Sequence, residues 1–174
     1  MADLRNSHRQ SLRSAILSDQ AIAALVEAND DQAIADYMNQ PADPAVSAWR
    51  ENFAPADLFE ATKLTDYIAR NNGERAGYDL LMSRESIDAT RKAVRDAILE
   101  IFAGTSNNSS KAAIVAAMQE AATRAQVAIG GTSRTVGPDA QGFSATALVR
   151  RFSGQLSAAD VSILLRGGSG YVPE

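Results

Sequence analysis

The residues able to do chemistry in this 174-residue chain are few, and they are not spaced to act together. Cysteine is absent, which removes thiolate nucleophiles, disulfides and Cys-ligated metal centres. The single histidine, His8, stands near the N-terminus among Arg5, Arg9 and Arg13 and reads as an exposed surface residue. A Ser-His-Asp triad needs three convergent groups, and neither Ser153-Gly154 nor Gly168-Ser169-Gly170 has the form of a nucleophile elbow. Gly130-Gly131-Thr132-Ser133 lacks the lysine of a phosphate loop and follows a helical stretch instead of a strand, so it reads as a helix stop. Asn29-Asp30-Asp31, and Asp57 with Glu60, lack the alternating oxygen ligands of a calcium loop; helix capping explains them more simply. No catalytic, cofactor-binding or metal-ligating residue is assigned, and no enzymatic activity is expected.

The basic residues are better placed for binding. Arg5, Arg9 and Arg13 recur every fourth position, Arg91, Lys92 and Arg95 form a second stripe, and Arg150-Arg151 a third. Each suits an acidic partner surface or a phosphate backbone. Asp88 and Asp96 flank the second stripe, however, as on an ordinary solvated helix face. The whole chain is acidic, with 17 Lys and Arg against 21 Asp and Glu, a net charge of −4. That balance does not supply the basic face of a duplex-DNA binder, and nucleic acid is expected at most as a backbone contact. Beyond the glycines near the C-terminus, Tyr171 and Val172 are apolar enough to dock on a partner. The candidate partner contacts are therefore Arg5, Arg9, Arg13, Tyr171 and Val172.

The elements that would carry these residues read as helices. Apolar residues make up 45% of the chain but aromatics only 6%, and alanine is abundant, a composition that suits closely packed helices better than a β-sandwich. Residues 4–17 have helical periodicity, and Ser18-Asp19 offers a cap for a helix with Ile22, Leu25 and Val26. Asp31 opens a helix with Ile34, Tyr37 and Met38, and Pro41 and Pro44 end this part. The linker-like stretch to Pro55 holds Trp49 and Phe53, which read as plugs in a helical core. Pro55-Ala56-Asp57 starts another helix; residues 64–82 follow, weakened or split near Asn71-Asn72-Gly73. Ser86 to Phe102, stopped by Gly104, and Lys111 to Ile129 read as the two strongest helices, joined by a short polar loop into an antiparallel central pair. Thr132 to Gly142 reads as mobile or extended. Leu148 to Phe152 reads as a short strand, with a helix over 145–151 as the alternative, and Ser157 caps a last helix with Val161, Leu164 and Leu165.

The expected fold is thus mostly α, a bundle of about six to eight helices with extended or flexible termini and room for one short strand or hairpin near the C-terminus. One domain covers 1–174, with a helical core over 18–166. Residues 1–17 and the tail 167–174 read as assembly arms. No apolar run reaches the ~18 residues that span a bilayer, and the N-terminus lacks the apolar stretch of a secretory signal. No membrane contact is expected, and the place of synthesis is read as the cytoplasm.

Four segments in order carry a resemblance. Residues 25–39, from Leu25-Val26-Glu27-Ala28-Asn29-Asp30-Asp31 through Tyr37-Met38-Asn39, are similar to the opening of small uncharacterised proteins of tailed bacteriophages and prophages. Ala48-Trp49-Arg50 followed by a Pro-Ala-Asp helix start, Ala121-Ala122-Thr123-Arg124-Ala125-Gln126, and the run from Phe152 to Val161 resemble later segments of the same proteins. The resemblance spans about residues 20 to 165 and carries over no functional residue. It implies a virion-associated structural role in the host cytoplasm and then in the assembled particle. The leading expectation is a head-to-tail connector, that is an adaptor or neck subunit, that forms a homo-oligomeric ring and meets portal or tail proteins. A decoration or tail-associated protein is the first alternative, and a small regulator that binds a host protein or DNA the second.

Overall fold

The computed structural model describes residues 6–104, 109–152 and 154–167. Among them the chain forms ten α-helices and four short strands. In order these are α1 (Asn6–Ser18), α2 (Ala23–Ala28), α3 (Asp31–Asn39), β1 (Ser47–Trp49), α4 (Pro55–Ala61), α5 (Leu64–Ile68), α6 (Asn72–Met82) and α7 (Lys92–Ile101). Then come α8 (Ser110–Ala117), β2 (Gln119–Ala121), α9 (Arg124–Ile129), β3 (Gly131–Val136), β4 (Ala145–Arg150) and α10 (Ala158–Arg166). They fall into two compact units: one of Met1–Val46, Ala121–Gly131 and Arg150–Glu174, the other of Ser47–Glu120 and Thr132–Val149.

The first unit is helical, and its helix ends are written in the local sequence. The Asp19 carboxylate accepts from the Ala21 amide (2.9 Å), and that of Asp30 from the Ala33 amide (3.0 Å). Both replace hydrogen bonds that the first turn of a helix lacks. Asn29 stops α2 in the left-handed region (φ 56°), which asparagine tolerates better than most residues. Reciprocal side-chain and backbone bonds start α9, between Thr123 and Gln126, and α10, between Ser157 and Asp160. Leu12 and Ile16 of α1 bury against Ile34 and Met38 of α3, Ala125 and Ile129 of α9, and Val161 of α10. Each large side chain so buried contributes about 1.5–3 kcal/mol of transfer free energy. The Asn39 side chain clamps the backbone of Leu156 from both sides, donating to its carbonyl (2.8 Å) and accepting from its amide (2.9 Å).

The second unit packs α4 to α8 with most of a small sheet of strand order β2-β1-β4-β3. β1 and β4 run parallel, with Ala48 opposite Leu148. Trp49 and Phe53 are fully buried among Leu58, Ile98, Phe102, Ile114 and Met118, which is the core role expected of them. The Trp49 indole donates to the Arg134 carbonyl (3.1 Å), so its polar edge is satisfied. After β3 the chain turns at Gly137 (φ +86°), where a Cβ would stand 2.2 Å from the Phe143 carbonyl oxygen; only glycine fits there.

Helix is the main secondary structure, as expected, but a bundle of about six to eight helices with one strand or hairpin is not what forms. A four-stranded sheet joins ten helices, and the expected single domain over 1–174 is divided into two compact units. The supposed helix from Ser86 begins only at Lys92. Ile87 instead exchanges backbone hydrogen bonds with Phe53, and Asp88 captures the Thr90 amide and hydroxyl. The supposed helix from Lys111 to Ile129 breaks after Ala117. Its middle is drawn out by Ala122, whose amide donates to the Val46 carbonyl (2.8 Å) and whose carbonyl accepts from the Ala42 amide (2.9 Å). The N-terminal arm over 1–17 is also corrected, because Leu12 and Ile16 are wholly buried in the first unit. Of the tail 167–174, Gly167 alone is described, as the left-handed cap of α10.

Candidate interaction surfaces

The basic stripes meet different fates. Arg5, Tyr171 and Val172 lie outside the described residues. Arg9, partly buried, and Arg13, exposed, stand on α1 beside the stripe of His8, Leu12 and Ile16 that faces inward. His8 is therefore not the surface residue expected; it is 7% exposed, and its Nδ1 has no hydrogen-bond partner among the described residues. In the second stripe Arg91 pairs with Asp88 (2.9 Å) and Lys92 with Asp96 (2.5 Å), as a neutralised solvated face would. Arg95 departs from that face. It is buried, donates to the carbonyls of Ala89 (2.7 Å) and Thr90 (2.6 Å), and sits 5.0 Å from the centre of the Trp49 ring. Burial pulls its pKa down from the ordinary arginine value. Arg150 ends β4, partly buried, and Arg151 follows it, exposed.

Lys111 was expected only to open a helix, yet it is fully buried in α8 and ion-paired with Asp139 of the β3–β4 connection. The Lys111 ammonium holds the Asp139 carboxyl below the usual carboxylate range; burial opposes this, and the amides of Phe143 and Gln141 add to it. The pair ties the connection to α8. Among the described residues no group of three or more His, Asp or Glu is placed to hold a metal ion. No helix among them is long and apolar enough to cross a membrane.

Two concavities open on the first unit. The larger, of about 700 Å³, runs between α1 and α10. Its lining includes apolar Leu17, Ile163 and Leu164 and the cations Arg9, Arg13 and Arg166. Arg166 is already engaged by Asp31 and Asn29, and Arg9 and Arg13 are the other two cations in the lining. The smaller, about 360 Å³, holds Arg124 stacked 3.9 Å above the Tyr37 ring, whose hydroxyl donates to Asp19 (3.0 Å). Burial, and then that hydrogen bond, raise the tyrosine pKa.

The second unit presents the opposite chemistry. Phe59 on α4, Leu64 and Ile68 on α5 and Leu80 on α6 stand 65%, 67%, 58% and 60% exposed. Scattered exposed leucines need no explanation, but three large apolar side chains within ten residues of chain mark an unusual stretch. The helical reading of 55–61 and 64–82 did not say which of these side chains turn outward. One signal was present: Leu58 and Phe59 are adjacent in a helix and ~100° apart, so a single-sided helix buries one and turns the other outward.

No protein-family model, no curated protein and no solved structure matches this chain.

Proposed function

We infer that the chain is a non-enzymatic assembly protein of a tailed-phage particle, a head-to-tail connector (adaptor or neck) subunit that forms a homo-oligomeric ring against portal or tail proteins. The observation that carries the reading is the exposed apolar stretch Phe59, Leu64 and Ile68, a feature of surfaces made to be covered by protein. The basic groove between α1 and α10 adds a second surface suited to a partner. Resemblance to phage proteins in the segments 25–39, 48–50, 121–126 and 152–161 supplies the setting. Electron microscopy of particles with labelled protein tests it. Labelled rings at one unique vertex support a connector; many copies over the surface make it a decoration protein, and absence from particles makes it a regulator. Calorimetry with ATP or a divalent metal should show no saturable binding followed by turnover.

A further inference from the structure

We propose that the groove between α1 and α10 is the seat of the chain's own C-terminal segment: residues 168–174 turn back at Gly167 and lie along it. The inference stands apart from the reading of the chain as an assembly subunit. A partner that uses the groove has to displace this segment first.

The place where α10 ends carries the inference. Gly167 caps that helix with φ 66° and itself lines the groove, so the segment begins at the groove and needs no path to it. Groove and segment also belong to the same compact unit. The seven residues from 168 to 174 span at most about 25 Å when extended. The lining stretch of α1, from Arg9 to Ser18, is about 14 Å long at a helical rise of about 1.5 Å per residue. The segment is therefore long enough to follow the groove from end to end. Its first three residues are Gly168, Ser169 and Gly170, whose small side chains leave a reversal of direction unobstructed.

The chemistry of the two sides is complementary. Leu17 is 53% exposed in the lining, and Ile163 and Leu165 are partly exposed, an apolar surface that Tyr171 and Val172 can cover. Arg9 and Arg13 lie on a helix with no acidic residue, and neither makes a hydrogen bond or ion pair among the described residues. Residues 167–174 hold one acid, Glu174, and no base, so nothing within the segment offsets its carboxylate. Attachment at Gly167 favours this occupant over a free peptide of the same chemistry. A short tether holds its end at an effective concentration on the order of millimolar, so contacts too weak to retain a free peptide still seat the segment.

Because the chain has no cysteine, an introduced pair reports proximity without interference. In the full chain, Ser14→Cys with Val172→Cys places one thiol in the groove lining and one in the segment. Gln40→Cys with Val172→Cys is the control, since Gln40 is exposed in the same unit and lies outside the lining. Ser14 is exposed as well, and thermal melting should confirm that both variants stay folded. With oxidised glutathione, the Ser14→Cys pair should close an intramolecular disulfide on the order of tenfold faster than the control. Adding Tyr171→Ser and Glu174→Lys, which leaves the groove untouched, should bring that rate down to the control rate. Equal rates for the two pairs, a rate indifferent to Tyr171→Ser and Glu174→Lys, or a disulfide formed mainly between molecules overturns the proposal; the last outcome would put a neighbour's segment in the groove.

Discussion

Ile98 and Lys111 show how differently a buried position treats an apolar and a charged side chain. Ile98 lies in the second core at 1% exposure, so Ile98→Asp strands a carboxylate there and should cost about 3–5 kcal/mol. Chemical denaturation would read it, and a variant as stable as the parent would remove Ile98 from the core. Lys111 is buried with a carboxylate, and breaking such a pair on one side is worse than replacing both members. Asp139→Ala alone should therefore lower the melting temperature more than Asp139→Ala combined with Lys111→Met. The same pair sets an acid limb. The folded-state pKa of Asp139 is depressed below the unfolded value of about 3.9, so its stabilisation is present above that pH and is lost as pH falls through the folded value. Asp66, lowered by the Ser110 amide and then its hydroxyl, acts in the same direction. The melting temperature should be level above about pH 5 and fall below about pH 4, and the fall should be shallower in Asp139→Ala.

Among the elements, the break between α8 and α9 is the most instructive. An alanine-rich stretch favours continuous helix, each alanine by up to ~0.7 kcal/mol over ordinary residues. Two backbone hydrogen bonds from Ala122 to the 42–46 segment and a fresh helix start at Thr123 outweigh that preference. Thr123 accepts from the Gln126 amide (3.2 Å) while Gln126 accepts from the Thr123 amide (3.0 Å). Thr123→Ala should cost about 1 kcal/mol, read as a shift of the denaturation midpoint with unchanged slope. A cost near zero would mean that tertiary packing alone starts α9.

At the scale of the whole molecule, neither unit is continuous in sequence. The core of the first draws Leu12 and Ile34 from one segment, Ala125 and Ile129 from a second, and Val161 and Leu164 from a third. A fragment of residues 1–46 should therefore be largely unfolded by circular dichroism, since its helices lose the partners that cover their apolar faces. A cooperatively melting fragment would overturn that reading of the unit.

Local sequence by itself determined some of the helix starts and stops, but not the start at Lys92, the end at Ala117 or the restart at Arg124. Asp19, Asp30, Pro55 and Ser157 cap or open helices where their types predict, because capping is decided by a side chain and the backbone within three residues of it. It also determined that Trp49 and Phe53 are core, because a large aromatic side chain in a chain so poor in them is buried where a helical core needs volume. It left the surface side of the molecule undetermined. Whether Phe59 or Leu58 turns inward, whether Arg95 and Lys111 are solvated or buried, and where Gln119–Ala121 finds its hydrogen bonds depend on partners distant in sequence. Only the tertiary structure decided these, because burial is a property of what packs on a face, and periodicity records the face without naming its cover.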